Sequence, residues 1–176
     1  MRTWKLGVGG LVACGVGLVS LSAQEFRISP HETVESVVDG ATITVDYGRP
    51  SMRGRLIFGG LIAYGRIWMP GADEATIITT TADLRFGEVR LPAGSYSLYT
   101  LTDETNWKFI INAQTGQFHT EYHADRDVVR LDARRDQLPE AVERLTISAV
   151  PEPAGGGRLQ LEWETTRFWV PFTVVR

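Results

Sequence analysis

Apolar and polar residues alternate with a period of two along most of this chain, and that pattern confines it to β-strands with one buried face each. Arg158 to Glu164 is the clearest case, with Leu159, Leu161 and Trp163 facing inward and Arg158, Gln160, Glu162 and Glu164 facing outward. Thr33 to Val38 and Ala41 to Tyr47 read as a hairpin, because Asp39-Gly40 between them suits the positive φ angles of a tight primed turn. Ala41, Ile43, Val45 and Tyr47 then share a face. Further strands are expected over Ala75 to Thr81, Leu84 to Leu91 with a bend at Gly87, and Ser95 to Leu101 after the Leu91-Pro92-Ala93-Gly94 turn. Trp107 to Asn112, Val128 to Ala133, Leu145 to Val150, Arg158 to Glu164 and Phe168 to Val175 complete the set, with Pro151 to Gly157 as a hairpin loop. Helical periodicity is weak, leaving Gln137 to Arg144 and Leu56 to Tyr64 as candidates for a short helix. The expected architecture is all-β, a single antiparallel β-sandwich of immunoglobulin-like or jelly-roll-like type with little helix.

The N-terminus is of a different kind. Arg2 and Lys5 precede an apolar run from Leu6 to Leu21, and Ser22-Ala23 supplies small residues before Gln24. That is the layout of a secretory signal peptide, so residues 1 to 23 are expected to be removed and residues 24 to 176 to form one domain, periplasmic or extracellular. The run is shorter than the ~20 apolar residues that span a bilayer and is diluted by five glycines. Cys14, the single cysteine, sits in Leu11-Val12-Ala13-Cys14-Gly15, a sequence that fits a lipoprotein box. Lipidation there is the one expected route to a membrane, and the apolar run continuing to Leu21 argues against it. Cleavage at Ala23 leaves no cysteine, hence no disulfide. It also takes the formal charge from −3 to −5, since Arg2 and Lys5 leave and no acid does. A mildly acidic domain whose cations are arginines apart from Lys108 is not expected to bind nucleic acid.

Between the second and third expected strands lies Tyr47 to Glu74, with no acid before Asp73, six glycines, and Arg49, Arg53, Arg55, Arg66, Tyr64 and Trp68. Guanidinium forks hold carboxylate or phosphate, aromatic faces stack on flat ligands, and glycine admits close approach. Tyr47, Arg49, Arg53, Arg55, Tyr64, Trp68, Asp73 and Glu74 are therefore the candidate ligand-binding residues. The competing reading is a long connection whose Leu56, Ile57, Phe58, Leu61, Ile67 and Trp68 plug the core while its arginines pair with Asp46, Asp73 and Glu74. The two readings are compatible. His119, Glu121 and His123 would share a face if their segment were a strand, a weak zinc pattern without an obvious fourth ligand; His31 stands alone. No metal, cofactor or catalytic residue is assigned, and no nucleophile elbow, phosphate loop or zincin helix is present.

Several ordered motifs carry a resemblance: Ser29-Pro30, Val45-Asp46-Tyr47-Gly48-Arg49-Pro50-Ser51, Gly54-Arg55, Ile57-Phe58-Gly59-Gly60-Leu61, Tyr64-Gly65, Trp68, Gly71-Ala72-Asp73-Glu74-Ala75-Thr76 and Leu91-Pro92-Ala93-Gly94-Ser95-Tyr96-Ser97-Leu98. On these the chain resembles the domain of unknown function 2911 family of bacterial secreted proteins, over nearly all of the chain after the leader. The resemblance implies an exported β-rich domain and no established activity. It also leads one to expect asparagine at position 73, where this chain has aspartate. The reading that follows is a non-enzymatic domain that binds a small polar ligand, a glycan or an envelope protein through Arg49 to Glu74. The alternative is a hydrolase using Asp46 or Glu74 with an arginine.

Overall fold

A computed structural model describes residues 29 to 175. The expected leader and the Cys14 lipidation site lie outside the described residues. Ten strands follow in order: β1 (His31–Val38), β2 (Ala41–Gly48), β3 (Arg66–Trp68), β4 (Ile77–Thr80), β5 (Leu84–Phe86), β6 (Val89–Leu91), β7 (Gly94–Thr102), β8 (Trp107–Asn112), β9 (Asp127–Pro151) and β10 (Gly157–Val174). They hydrogen-bond into one antiparallel sheet in the order β1-β2-β4-β7-β8-β9-β10-β5-β6, with β3 beside the second half of β7. The sheet is not closed into a barrel. The described residues contain no α-helix, only one turn of 3-10 helix at Ala124–Arg126.

The β1–β2 hairpin turns at Asp39 (φ 48°) and Gly40 (φ 86°), the paired positive angles that a two-residue primed turn demands. Its register pairs Val38 with Ala41 and His31 with Gly48. Ala41, Ile43, Val45 and Tyr47 are all buried, as the alternation requires. The expected bend at Gly87 is a complete hairpin between β5 and β6, with Gly87 at φ 57°.

Two pairs of expected strands are each one long strand. β9 runs through Val128 to Val150 without a break, and β10 through Arg158 to Val174. Their ladder slips at Glu162, Glu164 and Thr166, where Gln137 to Val142 oppose only Glu164 to Thr166 and Glu164 adopts φ 55°. An outsized bulge of this kind bends a ribbon sharply. Pro139, which has no N–H to give a ladder, lies within it. The short helix considered for Gln137 to Arg144 is therefore this bulged arch: strand pairing on both sides overrides a weak local preference.

The bend folds the ribbon over the rest of the sheet. β4, β7 and β8 separate β2 from β9 along the hydrogen-bonded path, yet the Ile147 N–H of β9 donates to the Tyr47 hydroxyl of β2 at 2.9 Å. The start of β10 likewise meets its own end, where a Cβ on Gly157 would sit 2.8 Å from the Phe172 ring. The main core fills the space between these layers with Val45, Tyr47, Leu98, Trp107, Phe109, Ile111, Leu145, Ile147, Leu161, Trp163 and Phe168. Each large apolar side chain so buried contributes about 1.5 to 3 kcal/mol over an exposed position. A second, smaller core of Met69, Ala75, Tyr99 and Ile110 lies on the reverse face of β7 and β8. Gln160, expected to face solvent, is 6% exposed.

The arginine-rich connection supplies both cores in turn. Ile57, Phe58 and Ile62 plug the main one, with Phe58 edge-on to Trp107 at 4.8 Å, and Met69 and Ala75 build the second. Leu56 and Leu61, expected in the core, are 63% and 51% exposed. The helix considered for Leu56 to Tyr64 does not form; Leu61 and Ile62 donate to the carbonyls of Leu56 and Ile57, closing a compact loop. Gly60 permits it, since a Cβ there would overlap the Leu56 carbonyl.

Candidate functional site

The candidate residues divide into braces and a cleft. Immediately after β2, the chain runs alongside β9: the Leu145 N–H donates to the Pro50 carbonyl at 3.0 Å and the Met52 N–H to the Glu143 carbonyl at 2.7 Å. Arg49 pins this crossing. Its Nε donates to the Leu145 carbonyl at 2.9 Å, its guanidinium to Thr146 Oγ1 at 2.8 Å, and a third contact is an ion pair with Glu32. Tyr47 is fully buried, and burial is the main reason its hydroxyl titrates above the ordinary tyrosine value, opposed by the Ile147 hydrogen bond. Both side chains are committed to holding β9 over β2. Gly48 belongs to the same joint, because a Cβ there would collide with the Ala72 carbonyl.

Arg53 and Gly54 then reverse the chain at φ 51° and 70°. The Arg53 backbone N–H donates to Glu143 Oε1 at 2.8 Å, and its guanidinium meets no partner among the described residues. Arg55 folds back on its own loop, donating to the carbonyls of Met52 at 2.9 Å and Ser51 at 2.7 Å. That fixes the guanidinium in place while leaving donors unspent. Arg53, Arg55 and Trp68 line a cleft of about 310 Å³ together with Pro50, Leu61 and Trp163. Trp68 stacks on Trp163 with centroids 6.0 Å apart and planes inclined by 19°. The Trp163 Nε1–H is satisfied by the Glu143 carbonyl at 3.1 Å, so the indole pair is held from behind.

The other candidates lie elsewhere. Tyr64 packs over Gly59, where a Cβ would come within 2.8 Å of its ring, and does not line the cleft. Asp73 adopts φ 68°, and its carbonyl accepts from both the backbone N–H of His119 at 3.2 Å and from His119 Nδ1 at 2.6 Å. Left-handed backbone suits asparagine and aspartate alike. The residue type at position 73 is thus explained by conformation, without a ligand that reads an amide. Arg66 starts β3, exposed.

The expected pairing of the arginines with Asp46 and Asp73 does not occur among the described residues. Asp46 binds the His31 Nε2 instead, with Thr33 Oγ1 at 3.4 Å, and His31 Nδ1 lies 3.7 Å from Glu74 Oε2. His31, which stands alone in the sequence, therefore joins two of the three candidate carboxylates. The hairpin register held the signal: Thr33 pairs with Asp46, which places His31 diagonally next to Asp46 on the same face. The three groups line a second cleft, of about 250 Å³, with Ala75, Ile77, Gly116 and Gln117.

His119 to His123 is not a strand. His119 is taken by Asp73, and the His123 carbonyl accepts from Asn112 Nδ2 at 2.9 Å. No group of three or more histidine, cysteine, aspartate or glutamate side chains with metal-holding geometry exists among the described residues. A third cleft is lined by Ala113, Gln114, Thr115, His123, Asp125 and Arg126, of which the sequence had singled out His123 alone. Its neighbour Tyr122 donates to Asp127 at 2.6 Å and is pushed up to about 12, first by burial and then by that carboxylate.

Compared with known proteins, residues 29 to 172 match the model of a family described as Protein of unknown function (DUF2911). No curated protein and no solved structure matches the chain.

Proposed function

The chain belongs to the DUF2911 family, and from that premise we propose that it is a non-enzymatic binding domain, exported to the cell envelope, whose cleft at Arg53, Arg55 and Trp68 takes an anionic ligand with a flat face. A carboxylated sugar of an envelope glycan has that chemistry. The observation that carries the reading is the Arg53 guanidinium, without a partner among the described residues, in a cleft shared with a pre-positioned Arg55 and a stacked indole pair. A carboxylate fits a guanidinium fork, and an indole offers a sugar ring a stacking face. Strain supports it as well: Arg53 holds left-handed backbone, which costs a non-glycine residue of order 1 kcal/mol and clusters at ligand sites.

The hydrolase alternative has less support. It requires an arginine beside Asp46 or Glu74; the Asp46 carboxylate is engaged by His31 and Thr33, and no arginine is among the described residues that line the cleft the two carboxylates share. The test is calorimetric titration of the protein with glucuronate and galacturonate, with glucose as the neutral control. The uronates should bind and glucose should not, and Arg53→Ala should abolish binding with the fold intact. Equal affinity for glucose, or an unaffected Arg53→Ala variant, would remove the basis for the proposal.

A further inference from the structure

The loop that plugs the main core with Ile57, Phe58 and Ile62 turns its other side to solvent. Between positions 53 and 66 every exposed residue is arginine, leucine, glycine, alanine or tyrosine, with no acid, amide, serine or threonine among them. The described residues include seven exposed large apolar side chains, and Leu56, Leu61 and Tyr64 are three of them, at 63%, 51% and 38%. A single exposed leucine is ordinary, so the information lies in the clustering. The backbone brings the three together. The Leu61 N–H donates to the Leu56 carbonyl at 3.0 Å, a Cβ on Gly60 would sit 3.0 Å from the Leu56 Cβ, and the Tyr64 ring lies over Gly59. Burial of Ile57, Phe58 and Ile62 behind them holds this apolar tip ready-formed. Arg53 and Arg55 precede it and Arg66 follows it, all exposed. Among the described residues one carboxylate hydrogen-bonds to the segment, Glu143, which accepts the Arg53 backbone N–H. Three guanidiniums against one carboxylate leave a local positive surplus on a chain whose formal charge is −3.

We propose that this loop is a docking surface for an anionic lipid membrane, with Leu56, Leu61 and Tyr64 entering the interface and Arg53, Arg55 and Arg66 meeting lipid phosphates. The chemistry of each part fits that partner. Leucine leaves water, tyrosine keeps its hydroxyl at the polar boundary, and arginine buries its stem while its fork holds phosphate. Each arginine near an anionic membrane surface strengthens binding by about fivefold, and each leucine taken out of water by on the order of tenfold or more. Apolar entry and charge act together, as in other interfacial anchors. A protein partner fits less well, since a protein interface has a polar, hydrogen-bonding rim, and the exposed side chains here offer only guanidiniums and one phenol. Leu61, Arg53 and Arg55 also line the arginine cleft, whereas Leu56 does not. Leu56 therefore separates membrane docking from ligand binding in that cleft.

The test is co-sedimentation of the protein with vesicles of equal phosphatidylglycerol and phosphatidylcholine, against vesicles of phosphatidylcholine alone. The protein should sediment with the first and not the second, and less so in about 0.5 M salt, where the screening length falls to roughly 4 Å. Leu56→Ser removes apolar contact without changing charge and should weaken binding by about tenfold or more. Arg66→Gln should weaken it by about fivefold. Both positions are exposed, so urea unfolding should return the parent midpoint for each; if Leu56→Ser does not fold, Leu61→Ser takes its place. Leu56→Ser should leave uronate binding unchanged, so the two surfaces succeed or fail separately. Adsorption through the N-terminal apolar run would not respond to Leu56→Ser. An unweakened Leu56→Ser variant, no sedimentation with anionic vesicles, or equal sedimentation with phosphatidylcholine alone would overturn the proposal. So would a dimer in sedimentation velocity that Leu56→Ser abolishes, which would make the patch a contact between copies of the chain.

Discussion

Arg49 and Arg53 lie four residues apart in one arginine-rich segment, and the structure requires opposite behaviour from them. Removing the Arg49 side chain deletes two hydrogen bonds from a charged donor onto β9, at 2.9 Å to the Leu145 carbonyl and 2.8 Å to Thr146 Oγ1. Bonds of that type contribute about 1.5 to 3 kcal/mol each and are less than additive when they share one group. The ion pair with Glu32 adds under about 1 kcal/mol, because the glutamate is 45% exposed and screened by water. Arg49→Ala should therefore destabilise the protein by about 2 to 4 kcal/mol. In urea, with a slope of about 1 to 3 kcal/mol per molar, that lowers the midpoint by on the order of 1 to 2 M at unchanged slope. Arg49→Lys should recover less than half, since an ammonium is a point charge and cannot span acceptors as a planar fork does. Arg53→Ala should stay within about 0.5 kcal/mol of the parent, its guanidinium having no partner among the described residues. Equilibrium urea unfolding followed by tryptophan fluorescence reads all three. A loss under about 0.5 kcal/mol for Arg49→Ala, or equal losses at both positions, would refute the division of the segment into brace and cleft.

Trp163→Ala should cost about 3 to 5 kcal/mol, from transfer and cavity terms together with the lost Trp68 stack, again read by urea unfolding. Asp83 is held below the ordinary carboxylate value, first by the Ala93 backbone N–H and then by Arg90, so its contribution is present at neutral pH and lost as pH falls below about 4 through its folded-state value. Asp83→Asn should flatten that part of the stability profile measured by thermal melts between neutral and acid pH. Mass spectrometry of the protein from its host should show a mature N-terminus at Gln24; a diacylglyceryl group on Cys14 would instead establish a lipoprotein.

Much of the fold was legible because alternation is a local property. Ala41 to Tyr47 states its buried face in its own sequence, and Asp39-Gly40 states its turn, so hairpin and register follow with no knowledge of the rest of the chain. The ends of β9 and β10 were equally visible. Their middles were not, because Gln137 to Arg144 is held extended by a partner far away in sequence and by a bulge that no local pattern specifies. The connection from Tyr47 to Glu74 shows the same limit at the site. Its composition marked it as unusual, and two of its arginines with Trp68 do line one cleft.

Which arginine braces and which stays unengaged was beyond the sequence, since Arg49 finds its acceptors at Leu145 and Thr146 while Arg53 turns away on left-handed backbone. Asp46, Glu74 and Gln117 likewise become neighbours only when β2, the Asp73 turn and the segment before Phe118 are brought side by side. Residue type and spacing thus determined the strands, their buried faces and the tight turns, because those depend on interactions within a few residues. The folded ribbon, the clefts and the acceptors that Arg49 finds on β9 were decided by tertiary structure, because they depend on contacts between segments that the sequence keeps far apart.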